Sequence, residues 1–353
     1  MAEEADPAAA DCAGDGVVDL RDRVERGERI LFCEGDGFRG ADRLRAGPRA
    51  DERDGVRVGC DEQRRVVWRH GAGERNAHEA RAIGRLRHGH RIVRPGAPIG
   101  SGAVLILLAP SEGKAAPPAG SAAVDLGALS HPGLTAQRLE LIKRLTKLTA
   151  GPQAAALAAL KLSAGQAAEL ERNRNLLAAP AAPAAQVYTG VLYQHLDLAS
   201  LSAEVRRRAA QRVLIASALW GVVAPDDAIP AYRLSMGARL PGMKGLAAWW
   251  RTALEAALPP DGLVVDLRSG AYAAAWRPAG IELVEVGART PQGKVISHMA
   301  KATRGAVARL LLQAGRTPRS AQDVAACVEA AGHTADLRPL PNDRGWALDV
   351  IAG

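Results

Sequence analysis

Hydroxyl and basic side chains follow three apolar stretches of this chain, near the point where each stretch ends. The stretches are 104–109, 213–223 and 263–267, and their length and aliphatic content predict buried strands. The polar residues after them are Ser111, Lys114, Tyr232, Arg233, Arg268, Ser269 and Tyr272. Side chains of these types bind anions such as phosphate. Because strand ends in one α/β sheet converge, we expect these residues to share a cleft.

A lysine and an arginine three residues apart, Lys301 and Arg304, lie at the start of a predicted helix. Residues at this spacing share one helix face, and the helix dipole favours anions there. Arg233 adds a planar guanidinium that can hold a phosphate with two hydrogen bonds. We therefore predict that these three cations form the anion-binding floor of the cleft. The alternative is that Arg304 pairs with Asp226 or Asp227 and only braces the fold.

No nucleophile paired with a base, and no set of metal ligands, is recognisable in the sequence. The four cysteines are far apart, without the close pairs that zinc and redox sites use. Gly113 and Lys114 lack the glycine spacing of a P-loop. His298 is a candidate acid–base group, although a single histidine is more often structural. We expect neither a metal nor a cofactor.

Predicted strands and helices alternate from residue 103 onward, and they position these residues. Further strands are predicted at 281–286, 294–298, 335–340 and 346–351. Helices are predicted at 135–174 with a break at Gly151-Pro152, and at 202–212, 246–258, 302–312 and 321–331. The Ala/Pro-rich stretch 176–185 is predicted to be a linker within the domain. The pattern predicts a single mixed α/β domain over 103–353.

The turn at 240–245 precedes one of these helices and contains Gly242, Lys244 and Gly245. Such a turn is similar to the hairpin of a helix-hairpin-helix element, in which backbone amides bind a DNA phosphate. The usual hairpin spaces its glycines by two residues rather than three, so the match is partial.

Residues 1–102 have an unusual composition, since the first hundred residues contain no Ser, Thr, Lys or Tyr. Natural domains of this length nearly always use these four types. We predict a disordered or mis-annotated extension that the domain does not need to fold. The alternative, a basic or histidine-rich arm, rests on His70, His78, His88 and His90, whose spacing is not that of metal ligands.

The positive charge lies in the second part of the chain. The net charge is +8, and residues 1–100 contain 19 Arg against 19 Asp and Glu, so the whole excess falls within 101–353. A pI of about 9.7 favours a polyanionic partner but also suits plain solubility. The acidic start of the chain and the lack of a run of ~20 apolar residues predict a cytoplasmic protein without a membrane span.

Five sequence blocks occur in one order along the chain. They are Pro110-Ser111-Glu112-Gly113-Lys114, Val187-Tyr188-Thr189-Gly190, the stretch 225–237 with Pro230, Tyr232 and Arg233, Ser269 with Tyr272, and Lys301 with Arg304 and Gly305. Together they resemble the signature of the YaaA peroxide-stress family. Ser235 stands where many members have Glu, and Arg268 where many have Ala, and both differences make the cleft more positive.

The resemblance implies a single α/β domain of the fold peculiar to that family, with a positively charged cleft that includes Tyr188. It further implies binding of double-stranded DNA, aided by a helix-hairpin-helix, and a role in limiting iron-dependent damage during peroxide stress. We expect a monomer. The alternative function is an enzyme acting on a nucleotide or a nucleic-acid base, with Tyr232, Arg233, Ser269, His298 and Lys301 around a pocket.

Overall fold

The computed structural model describes residues 30–34, 37–41, 56–60, 66–70, 104–258, 262–278, 280–294, 299–341 and 344–351. The chain divides into two units, Met1–His90 and Arg91–Gly353. In the first unit β1 (Ile30–Glu34) pairs with β2 (Gly37–Ala41), and β3 (Val56–Cys60) pairs with β4 (Val66–His70), both antiparallel. The rest of 1–102 lies outside the described residues, so the expected disorder of this extension stays a prediction.

The second unit is a mixed α/β domain, which confirms the predicted fold class. Its main strands are β5 (Val104–Leu108), β7 (Val213–Ser217), β8 (Gly221–Val223), β10 (Leu263–Leu267), β11 (Glu282–Arg289), β12 (Thr334–Pro339) and β13 (Trp346–Ile351). They form one sheet in the order β12-β13-β11-β10-β5-β7-β8. The five inner strands are parallel, while β12 and β8 are antiparallel edge strands. A separate ribbon pairs β6 (Ala181–Pro183) with β9 (Ala228–Pro230).

The sheet contains a change of winding direction beside β5. From β5 the chain adds β7 on one side, and it later returns to add β10 on the other side. The register pairs Leu108 with Leu267, so β5 and β10 end at the same level. Every residue of these two strands is buried. In open α/β sheets ligands bind at such a point, outside the carboxyl ends of the strands.

Helices cover the sheet of the second unit. They are α1 (Thr135–Ala150), α2 (Gln153–Leu160), α3 (Glu171–Arg174), α4 (Ala184–Val187), α5 (Val191–Leu196), α6 (Ala203–Arg212), α7 (Leu246–Ala257), α8 (Gly270–Ala273), α9 (Ala300–Gln313) and α10 (Ala321–Ala330). Ser202 and Ser320 cap the starts of α6 and α10 with their hydroxyl groups. None of the helices in the described ranges has both the length and the apolar character needed to cross a membrane.

The apolar run that begins at Val213 is two strands rather than the single strand expected from its composition. The Ser217 hydroxyl accepts hydrogen bonds from the N–H groups of Leu219 (3.1 Å) and Trp220 (3.0 Å), which bends the chain into a turn. Gly221 then has a φ of 74°, a conformation that glycine adopts without strain. A Cβ at Gly221 would also lie 2.9 Å from the Trp250 ring. Local hydrogen bonding and close packing therefore override the strand propensity.

The predicted helix at 135–174 has two breaks instead of one. The first is at Gly151-Pro152, as expected, between α1 and α2. The second follows α2, where Lys161 has a left-handed φ of 57° and Ser163 forms a reciprocal cap with Gln166. The predicted linker at 176–185 also differs, since it contains β6 and the start of α4.

Candidate nucleic-acid interface

The turn after β5 carries Ser111 and Lys114, and it is held against the segment before α5. The Thr189 N–H donates to the Ser111 hydroxyl (3.0 Å), and the Ala115 N–H donates to the Val187 carbonyl (2.9 Å). The Gly190 that follows has a φ of 100°, which allows the chain to turn into α5. The first two sequence blocks therefore lie side by side at the carboxyl end of β5.

Lys114 lies almost entirely inside the protein, with 7% of its surface exposed. Its Nζ donates to the Ser111 carbonyl at 3.0 Å and to the Glu112 carbonyl at 3.4 Å. The same atom lies 4.2 Å from the centre of the Tyr232 ring and 5.6 Å from that of Tyr188, within the range of cation–π attraction. Lys114 forms no ion pair with any carboxylate in the described part of the chain.

Two arginines lie near Lys114 and form ion pairs with the carboxylates closest to it. Arg233 pairs with Glu112 at 3.3 Å. Arg172 pairs with Glu169 at 3.5 Å, and it donates to the Lys114 carbonyl oxygen at 3.0 Å. Burial, followed by repulsion from these two guanidinium groups, lowers the pKa of Lys114 to about 7. The amine of Lys114 is therefore partly neutral near physiological pH.

The four tyrosines of the chain lie around this lysine or close to it. The Tyr232 hydroxyl lies 2.7 Å from Ser217 Oγ and 2.8 Å from the Tyr188 hydroxyl. Because Ser217 Oγ already accepts two N–H groups, its proton points to Tyr232, whose proton in turn points to Tyr188. Tyr193 stacks on Tyr188 with ring centres 5.6 Å apart. Tyr272 accepts a long hydrogen bond from the Met236 N–H (3.4 Å).

The tyrosines act as neutral hydrogen-bonding groups. Burial raises the pKa of Tyr188, Tyr193 and Tyr232 well above the ordinary value. Burial also raises the pKa of Tyr272 to about 12. None of these phenols therefore supplies a phenolate near neutral pH.

Arg268, which we expected in the cleft, lies in the core instead. Its guanidinium binds Asp266 through two hydrogen bonds, of 2.8 and 2.7 Å, and donates to the Trp276 carbonyl at 2.8 Å. Both side chains of this ion pair are 3% exposed or less. The pair fixes the chain where it leaves β10, and the exposed Ser269 begins α8 immediately afterwards. Arg268 thus adds no free charge to the surface.

Lys301 and Arg304, the cation pair predicted at the start of a helix, make no described contact with Lys114. Lys301 is exposed in the first turn of α9, whereas Arg304 is half-buried and donates to the Val286 carbonyl on β11 (3.0 Å). Arg304 does not pair with Asp227, which instead accepts hydrogen bonds from Ser130 and Ala224. No hydrogen bond or ion pair between described residues joins Lys301 or Arg304 to Arg233. Their role as a shared floor stays a prediction, and His298 lies outside the described residues.

A basic strip follows the loop 231–245 across the surface. A Cβ at Gly237 would lie 3.6 Å from Lys161 Nζ, and one at Gly242 would lie 3.7 Å from an Arg144 nitrogen. The strip consists of Arg144, Lys161, Arg233, Arg239 and Lys244. Arg144 pairs with Glu140 at 2.7 Å, and Arg233 pairs with Glu112. The three exposed cations of the strip, Lys161, Arg239 and Lys244, form no ion pair within the described ranges.

The turn at 240–245, predicted to resemble a hairpin, is the last part of the loop that this strip follows. Gly242 and Gly245 have φ values of 73° and 131°, and α7 begins directly after Gly245. Lys244 is exposed between them. The residues before the turn, 231–240, contain no helix. The turn therefore resembles only the second half of a helix-hairpin-helix.

A closer match to two helices joined by a short turn lies at 153–174, which we did not predict. Here α2 is followed by the turn at Lys161–Ser163 and by a 3₁₀ helix, Ala164–Leu170, that continues into α3. The Arg239 N–H donates to the Ala159 carbonyl at the end of α2 (2.8 Å). This contact brings the turn next to the basic strip. The Ser163 cap in a helical pattern is the sequence signal that could have located it.

A groove of about 530 Å³ is lined by residues between 183 and 226. Tyr188 is the one predicted site residue that lines it, together with Tyr193, Gln194, Arg206 and Asp226. In the described residues no group of three or more His, Cys, Asp or Glu side chains is placed to hold a metal ion.

Comparison of the chain with known proteins identifies its family. A family model described as peroxide stress protein YaaA matches residues 104–335. A UPF0246 protein of Streptomyces coelicolor is 46% identical over 260 residues, which cover 70% of this chain and 98% of that protein. UPF0246 proteins of Corynebacterium glutamicum (37% over 243 residues; 67% and 96% covered) and Corynebacterium efficiens (39% over 241 residues; 66% and 95% covered) are also similar. The family expected from the sequence blocks is confirmed.

Proposed function

This chain belongs to the peroxide stress protein YaaA family, and on that premise we propose that it binds double-stranded DNA during peroxide stress. The basic strip is the contact surface in this proposal, and the turn carrying Lys114 lies at one end of it. Bound DNA would be held mainly through its phosphates, without strong sequence preference.

The observation that carries the proposal is the charge along the loop 231–245. Of the five cations in the basic strip, three are exposed and have no acidic partner among the described residues. Exposed cations that are not used in ion pairs within the protein remain available to phosphate groups and can replace counterions on DNA. The whole net charge of the chain also lies within residues 101–353.

Backbone donors add to these charges. The N-terminus of α7, a helix of 12 residues, lies two residues after Lys244, and the first amides of a helix favour an anion. Arg233 can offer two parallel hydrogen bonds to one phosphate, which a lysine cannot do. Its pairing with Glu112 leaves 15% of the side chain exposed, so we expect DNA to compete with that surface carboxylate.

A charge-matched pair of triple variants tests the surface. In the first variant, Lys161, Arg239 and Lys244 are each replaced by Gln. In the second, three exposed cations away from the strip are replaced by Gln, namely Arg207, Lys294 and Arg319. Binding to a fluorescent duplex of mixed sequence is measured by anisotropy. We expect the first variant to lose about 10- to 30-fold in affinity and the second less than about 3-fold.

Comparing the two variants distinguishes binding by the basic strip from attraction by overall net charge, because both variants lose three positive charges. Equal losses in the two variants would mean that only overall charge attracts DNA, and the strip would then have no special role. Full affinity in the first variant would contradict the proposal directly. Thermal unfolding of both proteins establishes that each variant is folded.

We further propose that DNA binding is how the protein limits iron-dependent oxidative damage. Support for this step comes from the peroxide-stress description of the family. The test is survival of cells under peroxide with the strip variant in place of the parent protein. Sensitivity equal to that of cells lacking the protein is expected, and full protection by a variant that does not bind DNA would contradict the link.

The alternative, an enzyme acting on a nucleotide or a base, is the second candidate. The specific observation in its favour is the buried, partly neutral amine of Lys114 beside two arginines. Of the residues expected around such a pocket, Tyr232 and Arg233 lie near this amine. Ser269 and Lys301 make no described contact with it.

A further inference from the structure

Lys114 is buried without a carboxylate partner among the described residues. Buried charges in proteins are normally paired, because removing an ion from water costs several kcal/mol. Here the nearest oxygens are carbonyls of its own turn, and the neighbouring carboxylates of Glu112 and Glu169 bind arginines instead. An unpaired lysine packed on an aromatic ring beside two guanidinium groups is typical of a reactive amine.

We propose that Lys114 is a nucleophilic amine that forms an imine with the ring-opened aldehyde of an abasic site in double-stranded DNA. The proposal rests on the proposed function, since it takes bound duplex as the source of the aldehyde. It assigns a chemical role to the one lysine of the seven in the chain that is buried in the described structure.

The position of Lys114 suits an electrophile that carries phosphate groups on both sides. Arg172 and Arg233 both lie close enough to the amine to lower its pKa, and both can bind phosphate through paired N–H donors. A missing base leaves a deoxyribose between two phosphates and removes the stacking that keeps a nucleotide inside the duplex. Such a nucleotide can therefore leave the base stack and present its aldehyde to a protein group outside the duplex.

The reaction needs no oxidant and no further reactant. The lone pair of Nζ attacks the aldehyde carbon, forming a carbon–nitrogen bond as the carbon–oxygen π bond breaks to an alkoxide. The nitrogen, now positively charged, gives one proton to this alkoxide. The resulting carbinolamine loses its hydroxyl group together with the second proton of the nitrogen as water, and the imine remains. The amine must be neutral when it attacks, and the lowered pKa of Lys114 supplies that form near pH 7.

The competing explanation is that Lys114 only braces the turn through its two carbonyl hydrogen bonds. That role needs the positive charge and the donors but no reactivity. Borohydride distinguishes the two explanations, because it reduces an imine to a stable secondary amine and leaves a hydrogen-bonded lysine unchanged.

The experiment treats the full chain with borohydride in the presence of three probes separately. The probes are a duplex with one abasic site, the same duplex intact, and 2-deoxyribose 5-phosphate as a small aldehyde. Peptide mass spectrometry then finds the modified residue in the unmutated protein. We expect a covalent adduct at Lys114 with the abasic duplex and the small aldehyde, and none with the intact duplex.

Variants add a second readout. Lys114→Arg keeps the charge but is expected to lower adduct formation by at least about 20-fold. Lys294→Arg, which alters an exposed lysine outside the basic strip, is expected to react like the parent protein. The adduct yield of the parent should also rise with pH around neutrality, as the amine of Lys114 loses its proton.

Three results would overturn the proposal. An adduct only on exposed lysines or on the N-terminal amine would show non-selective chemistry. Adducts at Lys114 with the small aldehyde alone, while intact duplex binds in the anisotropy assay, would exclude DNA as the source. A protein that binds no duplex would remove the premise, and the binding assay reports that failure separately from the trapping result.

Discussion

Replacing Lys114 with methionine is expected to change how stability depends on pH. Burial, with Arg233 and Arg172 nearby, lowers the pKa of this amine from 10.5 to about 7, whereas the unfolded chain keeps the ordinary value. Between these two values the unfolded state binds a proton that the folded state does not, so the free energy of unfolding rises with pH. The full difference corresponds to about 5 kcal/mol, and the part gained between about pH 6.5 and 9 is about 2.5 kcal/mol.

The assay is urea unfolding of the parent, Lys114→Met and Lys294→Met proteins at several pH values. The difference between the parent and Lys114→Met isolates the amine, because every other group titrates in both proteins. We expect the free energy of unfolding of the parent, relative to that of Lys114→Met, to increase by about 2.5 kcal/mol between pH 6.5 and 9. Lys294→Met should follow the parent throughout. A difference that stays constant within about 0.5 kcal/mol would show an ordinary amine and refute the reasoning.

Three further outcomes are expected from the structure. Asp266→Asn should lower the free energy of unfolding by about 3–5 kcal/mol in urea, because it leaves buried Arg268 without its counter-charge; an unchanged midpoint would contradict this. Tyr232→Phe should cost about 1–3 kcal/mol because its hydroxyl links two other buried hydroxyls, whereas Tyr272→Phe should cost less than about 1 kcal/mol. The fragment 104–353 should unfold cooperatively at a temperature close to that of the full chain, and a non-cooperative transition would show that the preceding residues are needed.

The sequence predicted most elements of the second unit because their patterns are strong. The mainly aliphatic runs 104–109 and 263–267 predicted β5 and β10 within a residue of their observed ends. The helices predicted at 202–212 and 321–331 likewise match α6 and α10 within a residue. The elements that differ depend on contacts distant in sequence. The turn between β7 and β8 requires the Ser217 hydroxyl and the Trp250 ring, and a pattern of apolar residues contains neither contact.

The site could be predicted only in part, for a related reason. Strand ends converge, so Ser111, Lys114 and Arg233 were expected together, and the structure brings them together. Arg268 also follows the end of its strand, but Asp266 two residues earlier binds it in the core. The burial of Lys114 was also not predictable, because it depends on Tyr188 and Tyr232, which reach the lysine from separate segments.

The salt dependence of duplex binding tests the central claim most directly. Log affinity falls with log salt concentration by about 0.9 for each phosphate contact, so the four cations expected to contact phosphate, Lys161, Arg233, Arg239 and Lys244, predict a slope of about −3.6 for the parent protein. The variant with Gln at Lys161, Arg239 and Lys244 should have a slope about 2.7 less steep. An affinity that does not change with salt, or equal slopes for the parent and this variant, would contradict binding of DNA phosphates by the basic strip.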